Sequence, residues 1–222
     1  MTQFEQLGLR AVIFDMDGLI FDTERLYLHA WPHAGEALGF PITLEDAKAL
    51  IGRSVWDFEA SFQARYGPAF CMTQVLGVME KRIRSQLETD GMPLKPGAVE
   101  LLEALCQQGI PTALGSSNTS PVVTAYLEAA DLLSYFNPII TGDMVEQVKP
   151  APDIYQTAAA ELGLSPAQCL VLEDSVAGVE AAHRAGCPSI MIPDLLEPTA
   201  EALTQTWQVC RCLNEVRRML FS

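Results

Sequence analysis

The chain is short of positive charge and of histidine. Lysine and arginine number 14 against 28 acidic residues, with three histidines and a formal net charge of −14. Nucleic acid and anionic membrane surfaces are poor partners for such a chain, because binding either one needs a basic tract that is missing here. Long apolar runs are missing too, none reaching the ~18 residues that would span a bilayer. The opening Met1-Thr-Gln-Phe-Glu-Gln6 has no basic stretch leading into an apolar one, so no signal peptide is expected. Six cysteines stand at 71, 106, 169, 187, 210 and 212, and none forms a Cys-x-x-Cys pair. Reduced thiols in a cytoplasmic protein are the expectation. There is no internal repeat and no low-complexity segment.

What is present is core material. Of 222 residues, 49% are hydrophobic and 19% charged, enough for one large domain or a medium domain carrying an insert. The chain is organised around Arg10-Ala-Val-Ile-Phe-Asp15-Met-Asp17-Gly18, followed by Leu-Ile-Phe-Asp22-Thr-Glu24. A short β-branched apolar run of this kind reads as a fully buried parallel strand. It ends in two carboxylates two residues apart and a glycine, at the sheet edge where open α/β folds place ligands. An ordinary turn is the alternative reading of Asp and Gly at a strand end.

After Asp22 the texture becomes helical. Leu26, Tyr27, Ala30, Trp31, Ala34, Ala37 and Leu38 recur at helical spacing, Gly39-Phe-Pro-Ile-Thr43 interrupts, and Thr43 is placed to cap a second helix. Ile51-Gly52-Arg53-Ser54 reads as a loop, and helical patterns fill 55–66 and 71–88. Residues 23–90 are therefore expected to form an all-helical insert, ended by the Gly- and Pro-dense stretch from Asp90 to Gly97. The insert holds nine acidic and seven basic side chains, net −2, so −12 falls on the remainder. From 97 onward, helices at 97–108, 120–130, 151–162 and 176–185 alternate with apolar runs at 110–116, 137–141, 169–173 and 189–192, and a last helix or two follow. That alternation predicts βαβ units and a parallel, Rossmann-like α/β sheet, residues 1–22 and 91–222, interrupted after its first strand.

Four of the apolar runs end in groups able to do chemistry. The first ends in Asp15 and Asp17, and the second in Gly115-Ser116-Ser117-Asn118. The third is followed by Gly142-Asp143 and then Lys149-Pro150, and the fourth ends in Glu173-Asp174-Ser175. In a parallel sheet all these ends share one edge, which ordinary turns do not explain.

These four motifs resemble those of the haloacid dehalogenase superfamily of phosphatases, over residues 11 to about 192. The helical insert is similar to the cap of the β-phosphoglucomutase-like branch. The Asp-Met-Asp-Gly-Leu and Asp-Thr-Glu-Arg-Leu-Tyr segments look like phosphatases acting on pseudouridine monophosphate. Where the family often has Gly before the motif lysine, this chain has Val148. The resemblance implies a Mg²⁺-dependent hydrolase of a small sugar phosphate or nucleotide-like ester. Asp15 would be the nucleophile forming an aspartyl-phosphate, and Asp17 would be the general acid and base. Asp15 and Asp174 would offer side-chain oxygens to the metal and Asp17 its carbonyl, with Glu173 a more distant or water-mediated partner. Ser116 and the following amides, Ser117 among them, would hold phosphate at a helix N-terminus; Ser117 and Asn118 read equally well as plain helix caps. Lys149 would neutralise both Asp15 and the phosphoryl group. Asp17 argues against carbon–halogen cleavage, where the departing halide needs no acid.

The cap would select substrate. The β-phosphoglucomutases carry a histidine and an arginine at positions that here fall on Tyr27 and Val55, which favours hydrolysis over phosphoryl shuttling. Arg53 lies near enough to substitute for the arginine, and His29 and His33 fall on other faces of the first cap helix. Gly52, Arg53 and Ser54 are the candidate substrate contacts, while Trp31 and Trp56 read as cap core. A phosphohexomutase is the alternative enzyme. A phospho-Asp signalling module is the alternative outside enzymology, disfavoured by the insert and by Asp17. A monomer is expected.

Overall fold

The computed structural model describes residues 3–51 and 55–221. Two compact units result, one of Met1–Asp22 with Met92–Ser222 and the other of Thr23–Gly91.

The first unit is a six-stranded sheet of β1 (Ala11–Phe14), β2 (Thr112–Gly115), β3 (Ile139–Ile140), β4 (Cys169–Glu173), β5 (Ser189–Met191) and β6 (Gln208–Val209). Every pairing is parallel and the order is β3-β2-β1-β4-β5-β6. A short N-terminal helix α1 (Gln3–Gln6) precedes it. After the second unit come α6 (Ala98–Gln107), α7 (Ser120–Ala129), α8 (Asp153–Glu161), α9 (Val176–Ala185), α10 (Ala200–Gln205) and α11 (Leu213–Phe221). The period-two geometry of a strand sends alternate side chains to opposite faces. Val12, Phe14, Leu170 and Leu172 pack with Leu101, Leu102 and Leu105 of α6, Leu127 of α7 and Val216 of α11. Ala11, Ile13, Cys169 and Val171 pack with Ile154, Tyr155 and Ala158 of α8 and Ala182 of α9. Both faces of the central strands are covered, which is why they read as unbroken apolar runs.

The strand β6 was not foreseen. It is two residues long, half-exposed at the sheet edge and without an apolar run, and pairing with β5 alone makes it a strand. The segment Met16–Asp22 folds back as the first unit is left, and the returning chain pairs with it. The amide of Asp22 donates to the Pro93 carbonyl at 2.9 Å, and that of Lys95 donates to the Ile20 carbonyl at 2.8 Å.

The second unit is helical: α2 (Thr23–Leu38), α3 (Leu44–Lys48), a 3₁₀ turn at Val55–Phe58, α4 (Glu59–Tyr66) and α5 (Met72–Asp90). Thr43 caps α3 in a reciprocal box with Asp46. Its core is aromatic, with Phe62 against Trp31, Tyr66 and Phe70 at ring-centroid distances of 6.2, 5.9 and 5.2 Å. Trp31 is buried there as expected, but Trp56 is 55% exposed and is not core.

All six cysteines are free thiols. Burial pushes Cys169 up to about 11; burial and the neighbouring Cys169 push Cys187 up to about 12. Only the thiolate is nucleophilic, so both are inert in the native protein. Iodoacetamide at mildly alkaline pH is expected to label exposed Cys106 first and to spare Cys169 and Cys187 until the chain unfolds, an order that peptide mass spectrometry reads directly.

Candidate active site

The strand order reverses about β1, with β2 and β3 on one side and β4 to β6 on the other. Such a reversal opens a crevice at the carboxyl edge of the sheet. Asp15 follows β1 directly, Ser116 follows β2, and Glu173 is the last residue of β4 with Asp174 next. Lys149 reaches the same edge from the loop between β3 and α8. Register keeps these ends level, because Phe14 pairs with both Leu114 and Leu172.

Lys149 lies at the centre, its side chain only 6% exposed. Its ammonium donates to Asp15 Oδ1 and, at 2.7 Å, to Glu173 Oε1. It also stands 4.8 Å from the ring centroid of Tyr155, a cation–π distance. Burial works to deprotonate this lysine, yet the two carboxylates outweigh burial and hold its ammonium above the ordinary lysine range. Glu173 is fully buried and saturated with donors. Tyr155 Oη gives to Oε1 at 2.5 Å, while the amides of Asp174 and Ser175 and the Ser175 hydroxyl give to Oε2 at 3.0, 3.1 and 3.0 Å. Burial alone would raise its carboxyl, but Lys149, Tyr155 and the Ser175 amide bring it below the usual glutamate range. Ser175 caps α9 through the Gly178 amide.

Asp15 and Asp174 go the other way. Burial pushes Asp15 well up, with Glu173 and Asp17 adding to the effect and Lys149 opposing it. Burial, then the charges of Asp15 and Glu173, do the same to Asp174. Asp15, Glu173 and Asp174 each offer a carboxylate oxygen, all within 4.8 Å of one another. Clustered carboxylates that resist ionisation together are what a divalent cation relieves, and an all-oxygen donor set fits a hard ion. Gly18 makes room for the cluster, since at φ +77° a Cβ there would lie 2.2 Å from Asp174 Oδ2. With Glu173 already engaged by five donors, Asp15 and Asp174 are the residues that fit direct ligation.

Asp17 is half-buried, and its Oδ2 accepts from Asn118 Nδ2 at 2.7 Å. Ser116 is buried, and its hydroxyl oxygen accepts from the Asn118 amide at 3.1 Å, so its proton is available to an incoming oxygen. Ser117 is exposed. The helix-cap reading of Ser117 and Asn118 is corrected: the residue before α7 is Thr119, and Asn118 turns its side chain to Asp17 instead. Gly52, Arg53 and Ser54, the expected substrate contacts, lie outside the described residues. The sequence reading missed Tyr155, and for Asn118 it missed the tie to Asp17. Tyr155 falls inside the helix expected over 151–162 and drew no reading of its own. Its only signal was a phenol six residues after Lys149, and a buried phenol needs a partner.

A family profile described as haloacid dehalogenase-like hydrolase matches residues 9–186. The chain belongs to this family. Among its relatives, the phosphorylated carbohydrates phosphatase of Thermotoga maritima is 32% identical over 94% of this chain and 100% of its own. A haloacid dehalogenase family hydrolase of Deinococcus radiodurans, solved with bound phosphate and sodium, superposes with a TM-score of 0.82 at 28% identity, covering 96% of each chain. A Thermotoga maritima structure provisionally named a β-phosphoglucomutase also gives 0.82, at 27% identity over 96% of this chain and 100% of the other. Family and relatives make this hydrolase a phosphoric monoester hydrolase with the Rossmann-like fold expected of it.

In this hydrolase, Tyr155→Phe removes one donor from a buried charged carboxylate. The expected loss is about 1–3 kcal/mol of stability, read as a lower urea midpoint at unchanged slope. Lys149→Met leaves two buried carboxylates without their cation and is expected to cost roughly 3–5 kcal/mol as well as activity.

Proposed function

We propose that the protein is a Mg²⁺-dependent phosphomonoesterase that acts on a small soluble sugar phosphate or nucleotide-like ester through an aspartyl-phosphate, as a monomer in the cytoplasm. The observation carrying this is the juxtaposition at one sheet edge of Asp15, its partner Lys149, the Asp174 carboxylate and, two residues on, Asp17. Asp15, Asp174 and the Asp17 carbonyl would hold the ion, which when bound supplies positive charge to the phosphoryl oxygens and keeps Asp15 ionised.

Asp15 attacks phosphorus as the bond from phosphorus to the leaving oxygen breaks, and Asp17 passes its proton to that oxygen. Lys149 and the Ser116 hydroxyl, with the amides that follow, balance charge on the equatorial oxygens. In the second half, Asp17, now ionised, takes a proton from water. The resulting P–O bond displaces the Asp15 carboxylate, releasing inorganic phosphate and restoring both aspartates. The −12 that falls outside the helical insert repels a phosphate ester, so binding leans on Lys149 and the ion.

Steady phosphate release from a panel of sugar phosphates and nucleotides is expected with Mg²⁺, and loss of it with EDTA or in Asp15→Asn. Asp17→Asn should slow turnover by about 10²–10⁴-fold, the usual worth of a positioned proton donor. Acid-quenched enzyme should carry phosphate on Asp15 by mass spectrometry. Full turnover by Asp15→Asn would refute the nucleophile. The resemblance to a provisionally named mutase supports one alternative, and isomerised sugar phosphate exceeding free phosphate in the presence of a bisphosphate would establish it instead.

A further inference from the structure

Asn118 joins residues 101 positions apart in the chain, its Nδ2 donating to Asp17 Oδ2 at 2.7 Å. Its own backbone is held on both sides. The Asn118 amide donates to Ser116 Oγ at 3.1 Å, and its carbonyl accepts from the Gly142 amide at 2.8 Å. Gly142 can come that close only without a side chain, because a Cβ there would lie 2.3 Å from the Ser117 carbonyl oxygen. Beyond it, Asp143 Oδ1 accepts from the Ser120 amide at 2.9 Å, the Ser120 hydroxyl at 3.0 Å and the Thr141 hydroxyl at 2.5 Å. The loop after β2 and the loop after β3 are thus laced together, and Asn118 sits between them as a fixed arm.

A carboxyl group rotates freely about its terminal torsion unless something holds one oxygen. A general acid must present its proton along the line to the leaving oxygen, and small misplacements of a reacting group forfeit much of the rate. The geometry points to Asn118 as a positioning residue for Asp17: by holding Oδ2, it aims the carboxyl so that Oδ1 carries the proton to the leaving group and later takes one from water. The amide neither gains nor loses a proton, so it serves both halves of the cycle. This inference rests on the phosphatase reading, with Asp17 as its acid.

The test separates aiming the acid from holding the fold. Protonation matters most for a poor leaving group, so phenyl phosphate and p-nitrophenyl phosphate are compared in the full-length enzyme with Mg²⁺. Asn118→Ala is expected to lower kcat/KM on phenyl phosphate, which reports the steps through departure of the leaving group, by about tenfold or more, a fraction of what a general acid supplies, and to alter that on p-nitrophenyl phosphate far less. Asn118→Leu keeps the size but offers no donor to Oδ2 and adds no charge beside Asp17, and should show the same split. In an Asp17→Asn background, Asn118→Ala should add nothing further, the non-additivity expected of two residues that act as one. Equal losses of kcat/KM on both esters, a rise in it, or additive effects in the double variant would overturn the role of Asn118 while leaving the phosphatase reading intact. No turnover of any ester by the unmodified enzyme would instead remove that reading, and this inference with it.

Discussion

A buried ammonium, that of Lys149, holds the carboxyl edge of the sheet together. Lys149 lies among Asp15, Glu173 and the Tyr155 ring, where burial of an unpaired lysine would cost several kcal/mol. It remains charged because two carboxylates from different strands face it, and each carboxylate tolerates burial because of the lysine. The interaction therefore joins the ends of β1 and β4 to the loop beyond β3. Glu173 takes its orientation from five donors, and that fixed carboxylate in turn aims the lysine at Asp15.

Around that pair the edge divides its carboxylates by environment. Glu173, rich in donors, stays ionised as a permanent counter-charge. Asp15 and Asp174, with less support, are pushed toward the neutral form by burial and by the carboxylates around them, a strain that a hard cation relieves. Asp17 is half-buried and accepts from the side-chain amide of Asn118. Four acidic groups within one crevice thus have distinct neighbours, and distinct neighbours are how one residue type takes several roles.

Much of the core fold could be read in advance. Buried parallel strands are apolar on both faces, so β1, β2 and β4 stood out, and the alternation with helices predicted how they would assemble. Thr43 read as a helix cap and is one, while the return bond from Asp46 that makes it a box is seen only in the structure. What escaped lacked a local signature. The strand β6 exists only through its pairing with β5, and Trp56 has the composition of a core residue but an exposed position. Asn118 looked like a helix cap because Asn commonly caps, and its tie to Asp17 spans 101 residues.

Local chemistry along the chain therefore determined the candidate reacting residues and the edge on which they gather. A strand end has to put its polar groups where the parallel sheet terminates, and the Asp15-Met-Asp17-Gly18 run, Ser116, Lys149 and Glu173-Asp174 could be named from that rule and the family resemblance. Only the tertiary structure decided which partner each group keeps: Tyr155 beneath Glu173, Glu173 rather than solvent beside Lys149, and Asn118 on Asp17. Hydrogen bonds and buried charges depend on distances of about 3 Å between segments far apart in sequence, and no local pattern records them.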